Sequence, residues 1–223
     1  MNNISDRVES IKSTLPLGVQ LIAVSKYHPA EMIREAYDAG QRLFGENHVQ
    51  EMAAKQPLLP ADIQWHMIGH LQTNKVKYMI SFVTMIHSVD SLKLLREINK
   101  QAQKVNRIVD CLLQLYVAQE DTKFGLTLEE CRQMLAEGEW RQMNNVRLCG
   151  VMGMATNTNS DDEVKDEFIT IHKFFTEIKA QYFANESFFK EVSMGMSYDY
   201  SLAVQCGSTM VRVGTSIFGA RQY

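Results

Sequence analysis

The feature that most constrains the fold of this 223-residue chain is a regular alternation of short apolar runs and amphipathic segments. Residues 19–24 (VQLIAV) form the first apolar run, which is typical of a strand buried on both faces of a parallel sheet. A helix is predicted to begin at Pro29 and to end at Gly40, since proline suits a first helical turn and glycine the position after the last. Further strand-type runs occupy residues 42–44, 63–68, 82–87, 107–117, 146–152, 191–193 and 210–213, with helical spacing in nearly every gap.

Eight strands joined by helices predict an α/β protein, a single (β/α)8 TIM-type barrel with an extra N-terminal helix. We expect residues 1–223 to form one domain, since no linker, repeat or low-complexity tract interrupts them. Only about ten residues follow the last predicted strand, which is too short for a full eighth helix. The amphipathic segment 4–14 is therefore expected to take that place. An open, doubly wound sheet is the alternative architecture.

Composition and charge argue against several classes of function. The net charge is −3 and no basic patch stands out, so we expect no nucleic-acid partner. No apolar run approaches the ~20 residues that cross a bilayer, so no membrane association is expected. The four scattered cysteines suit reduced thiols in a cytoplasmic protein. The six histidines lack ligand spacing, so no metal site is predicted, and the lack of an exposed apolar stripe predicts a monomer.

Polar residues at the carboxyl ends of the predicted strands are the candidates for function, because barrels of this class place their active groups there. Lys26 follows the first buried run, so its side chain is expected to start at the mouth of the barrel. A lysine amine attacks a carbonyl group only after losing its proton, which partial burial or a nearby cation favours. By position alone, a solvated lysine at a strand end is the simpler interpretation.

Two small-residue turns follow the last two predicted strands. Residues 193–197 (SMGMS) and 213–215 (VGT) offer hydroxyls and backbone N–H groups where such barrels often bind a phosphate. Both also suit plain tight turns, and Ser197 suits an ordinary helix cap. Arg212 shares a strand face with Gly214. An arginine that points into the barrel mouth is costly unless it is paired or binds a ligand, and a surface salt bridge is the simpler alternative.

Five segments of the chain closely resemble one known family. The stretches LIAVSKYHP, FGENHVQE, QWHMIGHLQTNK, SMGMSYDY and VRVGTSIFGAR resemble, in order, the pyridoxal 5′-phosphate (PLP) homeostasis proteins, whose barrel is similar to the N-terminal domain of alanine racemase. The resemblance implies that PLP is the cofactor and that Lys26 holds it as a Schiff base. It also places Asn47 near the cofactor ring and Arg212 at the pyridine nitrogen. For binding of the cofactor phosphate and the turns around it, the resemblance points to Ser193, Met194, Gly195, Ser197, Gly214 and Thr215.

Further residues bear on the detail of the pocket. Lys123 resembles another family lysine near the pocket, whereas its position alone predicts a solvated loop residue. Tyr27, His28 and His48 depart from the common family residues, which affects the fine structure of the pocket and leaves the assignment of Lys26 in place. His66, in the third predicted strand, is interpreted as structural rather than catalytic.

A carrier of PLP is favoured over a PLP-dependent enzyme. Catalysis with this cofactor works best when the pyridine nitrogen is protonated, whereas an arginine at that nitrogen can only donate a hydrogen bond. The second base of alanine racemase comes from an additional C-terminal domain, for which these residues leave no room. We therefore expect a PLP homeostasis protein that supplies or buffers the cofactor, with PLP-dependent apo-enzymes as partners. The alternatives are a PLP-dependent amino-acid racemase or lyase, and a PLP-free phosphosugar enzyme.

Overall fold

Eight parallel strands close into a barrel in the computed structural model, which describes residues 3–118 and 124–220. The strands are β1 (Gln20–Val24), β2 (Leu43–Glu46), β3 (Gln64–Met67), β4 (Val83–Val89), β5 (Val109–Leu115), β6 (Val146–Gly153), β7 (Glu191–Ser193) and β8 (Met210–Val213). Each strand pairs with the next one in the chain, and β8 pairs with β1 to complete the sheet. The predicted (β/α)8 barrel is confirmed, and the open sheet is excluded.

Helices surround the barrel, and one of them precedes the first strand. They are α1 (Ile4–Thr14), α2 (Ala30–Asp38), α3 (Val49–Lys55), α4 (Leu92–Lys104), α5 (Leu128–Glu137), α6 (Asp161–Tyr182), α7 (Tyr200–Gln205) and α8 (Thr215–Phe218). Short 3-10 helices occupy Gln56–Leu58, Thr73–Tyr78 and Glu139–Gln142. The gap between β3 and β4 therefore contains a 3-10 helix, Thr73–Tyr78, and no α-helix. Val76 is the buried residue of this 3-10 helix, so an apolar stripe that would stabilise a longer α-helix is missing.

The N-terminal helix takes the place of a full eighth helix, as predicted. Helix α8 spans four residues, and α1 packs beside it. Ile4, Val8 and Ile11 form the buried face of α1 at helical spacing. The Arg7 guanidinium donates a hydrogen bond to the Ile217 carbonyl oxygen at 2.9 Å, which joins α1 to α8. Helix α1 therefore covers the barrel beside the short helix α8.

The apolar core has two parts, because successive residues of a strand point to opposite faces of the sheet. The larger part lies between the sheet and the helices and includes Leu21 and Ala23 of β1. The smaller part fills the lumen of the barrel and contains Ile22, Met85, Leu112, Cys149, Met152 and Met210. Flexible methionine side chains suit such an irregular space. Other inward positions on β3, β4, β7 and β8 carry polar side chains, and these position the candidate site.

Candidate functional site

Lys26 lies in the turn that follows β1, at the carboxyl end of the barrel, and it is half-buried. The turn is unusual because Tyr27 has a φ of 66°, in the left-handed region that residues other than glycine rarely adopt. The Tyr27 N–H donates to Glu51 Oε1 at 2.5 Å, and the His28 N–H donates to the Ser25 carbonyl oxygen at 3.2 Å. These two bonds fix the backbone on the carboxyl side of Lys26.

A buried cluster on the helix side of the sheet holds the same turn, and we call Ser25, Glu46 and Lys55 the outer network. Glu46 Oε1 accepts from Ser25 Oγ at 2.7 Å and from Lys55 Nζ at 2.8 Å. Lys55 Nζ also donates to the Ser25 carbonyl oxygen at 2.8 Å. Burial raises the pKa of Glu46 to about 7, although Lys55 and Ser25 act in the opposite direction. The residue before Lys26 is therefore anchored to a buried ion pair.

The two predicted phosphate turns contact each other and the end of β1. The Gly214 N–H donates to Ser197 Oγ at 3.2 Å, which bridges the turn after β7 to the turn after β8. A Cβ on Gly214 would lie 3.1 Å from the Val24 carbonyl oxygen, so this turn passes directly against the strand that leads to Lys26. Thr215 follows at the surface, with its side chain exposed. The structure thus brings these predicted residues together at one end of the barrel.

Gly195 and Met194 contribute to the first turn in different ways. Gly195 has a φ of 94°, and a Cβ there would lie 2.6 Å from Ala203 Cβ, so the turn requires glycine. The Met194 side chain is fully buried in the core between sheet and helices, and its N–H donates to the Met210 carbonyl oxygen at 3.2 Å. Met194 therefore presents neither its side chain nor its N–H to the barrel mouth.

Arg212 points into the barrel and is 5% exposed. Its Nη1 donates to the Ser193 carbonyl oxygen at 2.8 Å and to Ser193 Oγ at 2.7 Å, and its Nη2 donates to the Gly153 carbonyl oxygen at 3.0 Å. Burial lowers the pKa of Arg212 to about 10, and Asp199 opposes that shift. The guanidinium is therefore charged at neutral pH. The alternative of a surface salt bridge is wrong, because the side chain is buried and these three acceptors are uncharged.

Arg212 also ends a chain of buried polar side chains inside the barrel, and we call His66, His87, Ser193 and Arg212 the inner network. His66 Nδ1 lies 2.8 Å from His87 Nε2, and His87 Nδ1 lies 3.0 Å from Ser193 Oγ. Strands β4 and β7 are not neighbours in the sheet, so the contact of His87 with Ser193 crosses the lumen. His87 was not among the residues predicted from the sequence. The strand period of two would have placed it in the lumen, since His87 shares a face with Met85, a lumen residue.

Asn47 borders a cavity at the carboxyl end of the barrel. This cavity has a volume of about 550 Å³, and Asn47, Ile68, Gln114 and Met154 are among its lining residues. A second cavity of about 670 Å³ is lined by Met154 and Asp199, among others. Met154 borders both cavities, so they flank each other across the end of β6. Each volume lies in the range typical of small-molecule sites.

Other features of the chain contribute less to this site. Lys123 lies outside the described residues. Within the two described ranges, no group of three or more histidine, cysteine, aspartate or glutamate side chains is placed to hold a metal ion. Among the described helices, none combines the length and apolar character that crossing a membrane requires. The four cysteines are buried free thiols, and burial raises the pKa of Cys149 to about 12, which makes it a poor nucleophile.

Comparison with known sequences gives matches that span nearly the whole chain. The family model described as "Alanine racemase, N-terminal domain" matches residues 1–222. A pyridoxal phosphate homeostasis protein of Aquifex aeolicus is 37% identical over 206 residues, which cover 92% of this chain and 88% of the relative. A protein of the same name from Schizosaccharomyces pombe is 37% identical, and the match covers 91% of this chain and 84% of the relative.

Solved structures match the fold at similar coverage. PipY of Synechococcus elongatus PCC7942 is 40% identical, and the match covers 97% of this chain and 100% of PipY. The TM-score is 0.91 for PipY without PLP and 0.89 for PipY with PLP bound. Alanine racemase of Clostridium difficile 630 has a TM-score of 0.76 at 15% identity, and the match covers 99% of this chain and 57% of the racemase. That last likeness concerns the fold alone.

Proposed function

Because the chain belongs to the family of the alanine racemase N-terminal domain and, within it, to the pyridoxal phosphate homeostasis proteins, we propose that it binds PLP and serves PLP homeostasis. The observation that carries this proposal is the PLP-bound structure of PipY, which is 40% identical over 97% of this chain. In this proposal residues 1–223 act as one PLP-binding domain.

The residues at the carboxyl end of the barrel suit the chemical groups of PLP. The Lys26 amine suits an aldehyde, and it is half-buried in a fixed turn. The Ser197 hydroxyl and the turn at Gly214 and Thr215 suit a phosphate group, since hydroxyls and backbone N–H groups are its usual donors. The buried Arg212 suits the ring nitrogen as a hydrogen-bond donor. In this proposal the ends of β1, β2, β7 and β8 share one small ligand, and Asn47 borders a cavity at the same end of the barrel.

Lys26 holds the cofactor covalently in this proposal. Its Nζ adds to the aldehyde carbon, a C=N bond replaces the C=O bond, and one water molecule leaves. Bound PLP supplies an electron sink for reactions of amino acids. Hydrolysis reverses the bond to Lys26, which is what a protein that stores and releases a cofactor requires.

Arg212 supports storage over turnover. Burial lowers its pKa to about 10, so the side chain remains a charged donor at neutral pH. A donor at the ring nitrogen leaves that nitrogen unprotonated and weakens the electron sink. We therefore propose a monomeric cytoplasmic carrier that supplies PLP to apo-enzymes and lacks robust catalysis. The four buried free thiols support a reducing compartment.

An absorbance titration with PLP tests the proposed function. The unchanged protein and the control Lys75→Arg, altered at a lysine that lines the cavity beside Asn47, are expected to develop the yellow band of a Schiff base. Lys26→Arg keeps the positive charge and is expected to give no such band. A band that persists in Lys26→Arg, or a band absent from the unchanged protein, would contradict the proposal.

A second measurement separates a carrier from an enzyme. The PLP-loaded protein is incubated with L-alanine, and separately with a PLP-dependent apo-enzyme. The carrier predicts activation of the apo-enzyme and no racemisation or loss of alanine above the rate of free PLP. Steady conversion of alanine with PLP retained would instead establish a racemase or lyase.

A further inference from the structure

The inner network is the buried cluster that PLP binding alone does not explain. Its four side chains come from β3, β4, β7 and β8, and Arg212 Nη2 adds a bond to the Gly153 carbonyl oxygen at the end of β6. Hydrogen bonds thus tie five of the eight strands together through the lumen. If these side chains served stability alone, apolar side chains would be expected in their place, as in the neighbouring apolar cluster of the lumen.

The direction of every hydrogen bond in this network follows from Arg212. Arginine only donates, so Ser193 Oγ accepts from it, and the Ser193 hydroxyl hydrogen is directed to His87 Nδ1. His87 then carries its proton on Nε2 and donates to His66 Nδ1. His66 in turn carries its proton on Nε2. The opposite direction would give Ser193 Oγ two donors and leave its own hydrogen without an acceptor in the network.

Burial keeps both imidazoles in the neutral form that this direction requires. His66 and His87 are buried. Desolvation lowers the pKa of His66 to about 4, with Asp110 opposing, and it lowers the pKa of His87 well below 6.5, with His66 and Arg212 acting in the same direction. The positive charge of the network therefore stays on Arg212.

The network ends on a buried polar atom. His66 Nε2 has no hydrogen-bond partner within the described part of the chain. His66 also lines a cavity of about 360 Å³ at the opposite end of the barrel, with Gln20 and Gln64. The chain of hydrogen bonds therefore runs from the carboxyl-end site towards the base of the barrel.

We propose that His66 and His87 are positioning residues, which hold the Ser193 hydroxyl as an acceptor and thereby fix the plane of the Arg212 guanidinium at the barrel mouth. This inference rests on the proposed function in one respect, namely that Arg212 faces PLP. The three bonds from Arg212 to Ser193 and Gly153 use three of its five N–H groups. Fixing those three leaves the other two with a defined direction towards a ligand acceptor.

The proton positions are tested first, on protein without PLP. Long-range ¹H–¹⁵N correlation spectra of ¹⁵N-histidine-labelled protein, recorded from pH 6 to pH 8, distinguish the two neutral tautomers and the cation. The expected result is a neutral imidazole protonated on Nε2 for both His66 and His87 across this range. A proton on Nδ1 of either ring, or a cation in this range, would overturn the proposal.

The coupling to the ligand is tested by three variants at the far end of the network. His66→Leu removes the acceptor for His87 and keeps the volume, whereas His66→Asn can place an amide oxygen near the position of Nδ1. Met85→Leu is the matched control, because it changes a lumen side chain that belongs to the apolar cluster. The readout is the dissociation rate of PLP, followed by capture of released PLP with excess apo-enzyme.

We expect His66→Leu to release PLP about tenfold faster, and His66→Asn and Met85→Leu to stay close to the unchanged rate. Equal rates for His66→Leu and Met85→Leu would overturn the proposal, and so would failure of His66→Asn to restore slow release. If His66→Leu does not fold, the histidine tautomers measured in the unchanged protein decide whether the proposal stands. If no PLP binds at all, the proposed function fails while the tautomer result still stands.

Discussion

The outer and inner networks both bury polar side chains next to the candidate site, but with different chemistry. The outer network places a carboxylate and an ammonium on the helix side of the sheet, beneath the turn of Lys26. The inner network places two neutral imidazoles and a hydroxyl in the lumen, beneath the guanidinium of Arg212. One network therefore contains a titrating ion pair, and the other contains a single permanent charge.

This difference predicts opposite dependences of stability on pH. Glu46 has a pKa raised from 4.5 to about 7, so its contribution is present below pH 4.5 and is lost as pH rises towards 7. His66 has a pKa lowered from 6.5 to about 4, so its contribution is present above pH 6.5 and is lost as pH falls towards 4. The pH at which a variant is measured therefore decides which network it reports.

The largest effect is expected when the outer network loses its cation. Lys55→Met leaves Glu46 buried beside Ser25 without a charged partner, which costs about 3–5 kcal/mol while Glu46 is ionised. The loss in free energy of unfolding, from urea titration, should be full at pH 8 and smaller at pH 5.5, where Glu46 takes up a proton. Lys104→Met, at an exposed lysine at the end of α4, is the control. A loss that is the same at both pH values would contradict an ionised Glu46.

A smaller effect is expected when the carboxylate itself is replaced. Glu46→Gln cannot ionise, so its stability relative to the unchanged protein should rise between pH 4.5 and pH 7, by up to about 3 kcal/mol. Urea unfolding at four pH values across this window gives the difference directly. A flat difference would show that Glu46 titrates as an ordinary surface carboxyl group.

The smallest of the three effects is expected in the inner network, with the opposite sign of pH dependence. His87→Leu leaves the Ser193 hydroxyl hydrogen without its acceptor and His66 Nδ1 without its donor, which costs about 2 kcal/mol at pH 8. Below pH 6.5 this cost should shrink, because the unchanged protein must keep His87 neutral while the unfolded chain protonates it. His172→Leu, on α6 outside the lumen, is the control. A cost that grows as pH falls would contradict the neutral network.

The barrel was predictable because its signal is local. The run VQLIAV carries its own evidence for a strand buried on both faces, and four of the five residues of β1 are buried. The positions of Lys26, Ser197 and Gly214 at strand ends were predictable for a related reason, since they follow from the order of the elements. The predictable features are therefore those that one strand and the turn after it determine without distant contacts.

Both networks depend on contacts that the local sequence does not predict. His87 meets partners that lie 21 and 106 residues away in the chain, and a histidine in an apolar strand gives no local sign of them. Glu46 and Lys55 are nine residues apart, and their contact depends on how α3 folds back over the sheet. Met194 was grouped with the phosphate turn by its motif, whereas its N–H bonds to the Met210 carbonyl oxygen and its side chain lies in the core.

Reduction with borohydride decides whether Lys26 holds PLP covalently, as proposed above. The protein is incubated with PLP, reduced, weighed intact by mass spectrometry and then digested for peptide mapping. We expect one reduced PLP adduct per chain, carried by the peptide that contains Lys26, and no adduct in Lys26→Arg. An unmodified chain, or an adduct carried by another lysine such as Lys75, would contradict it.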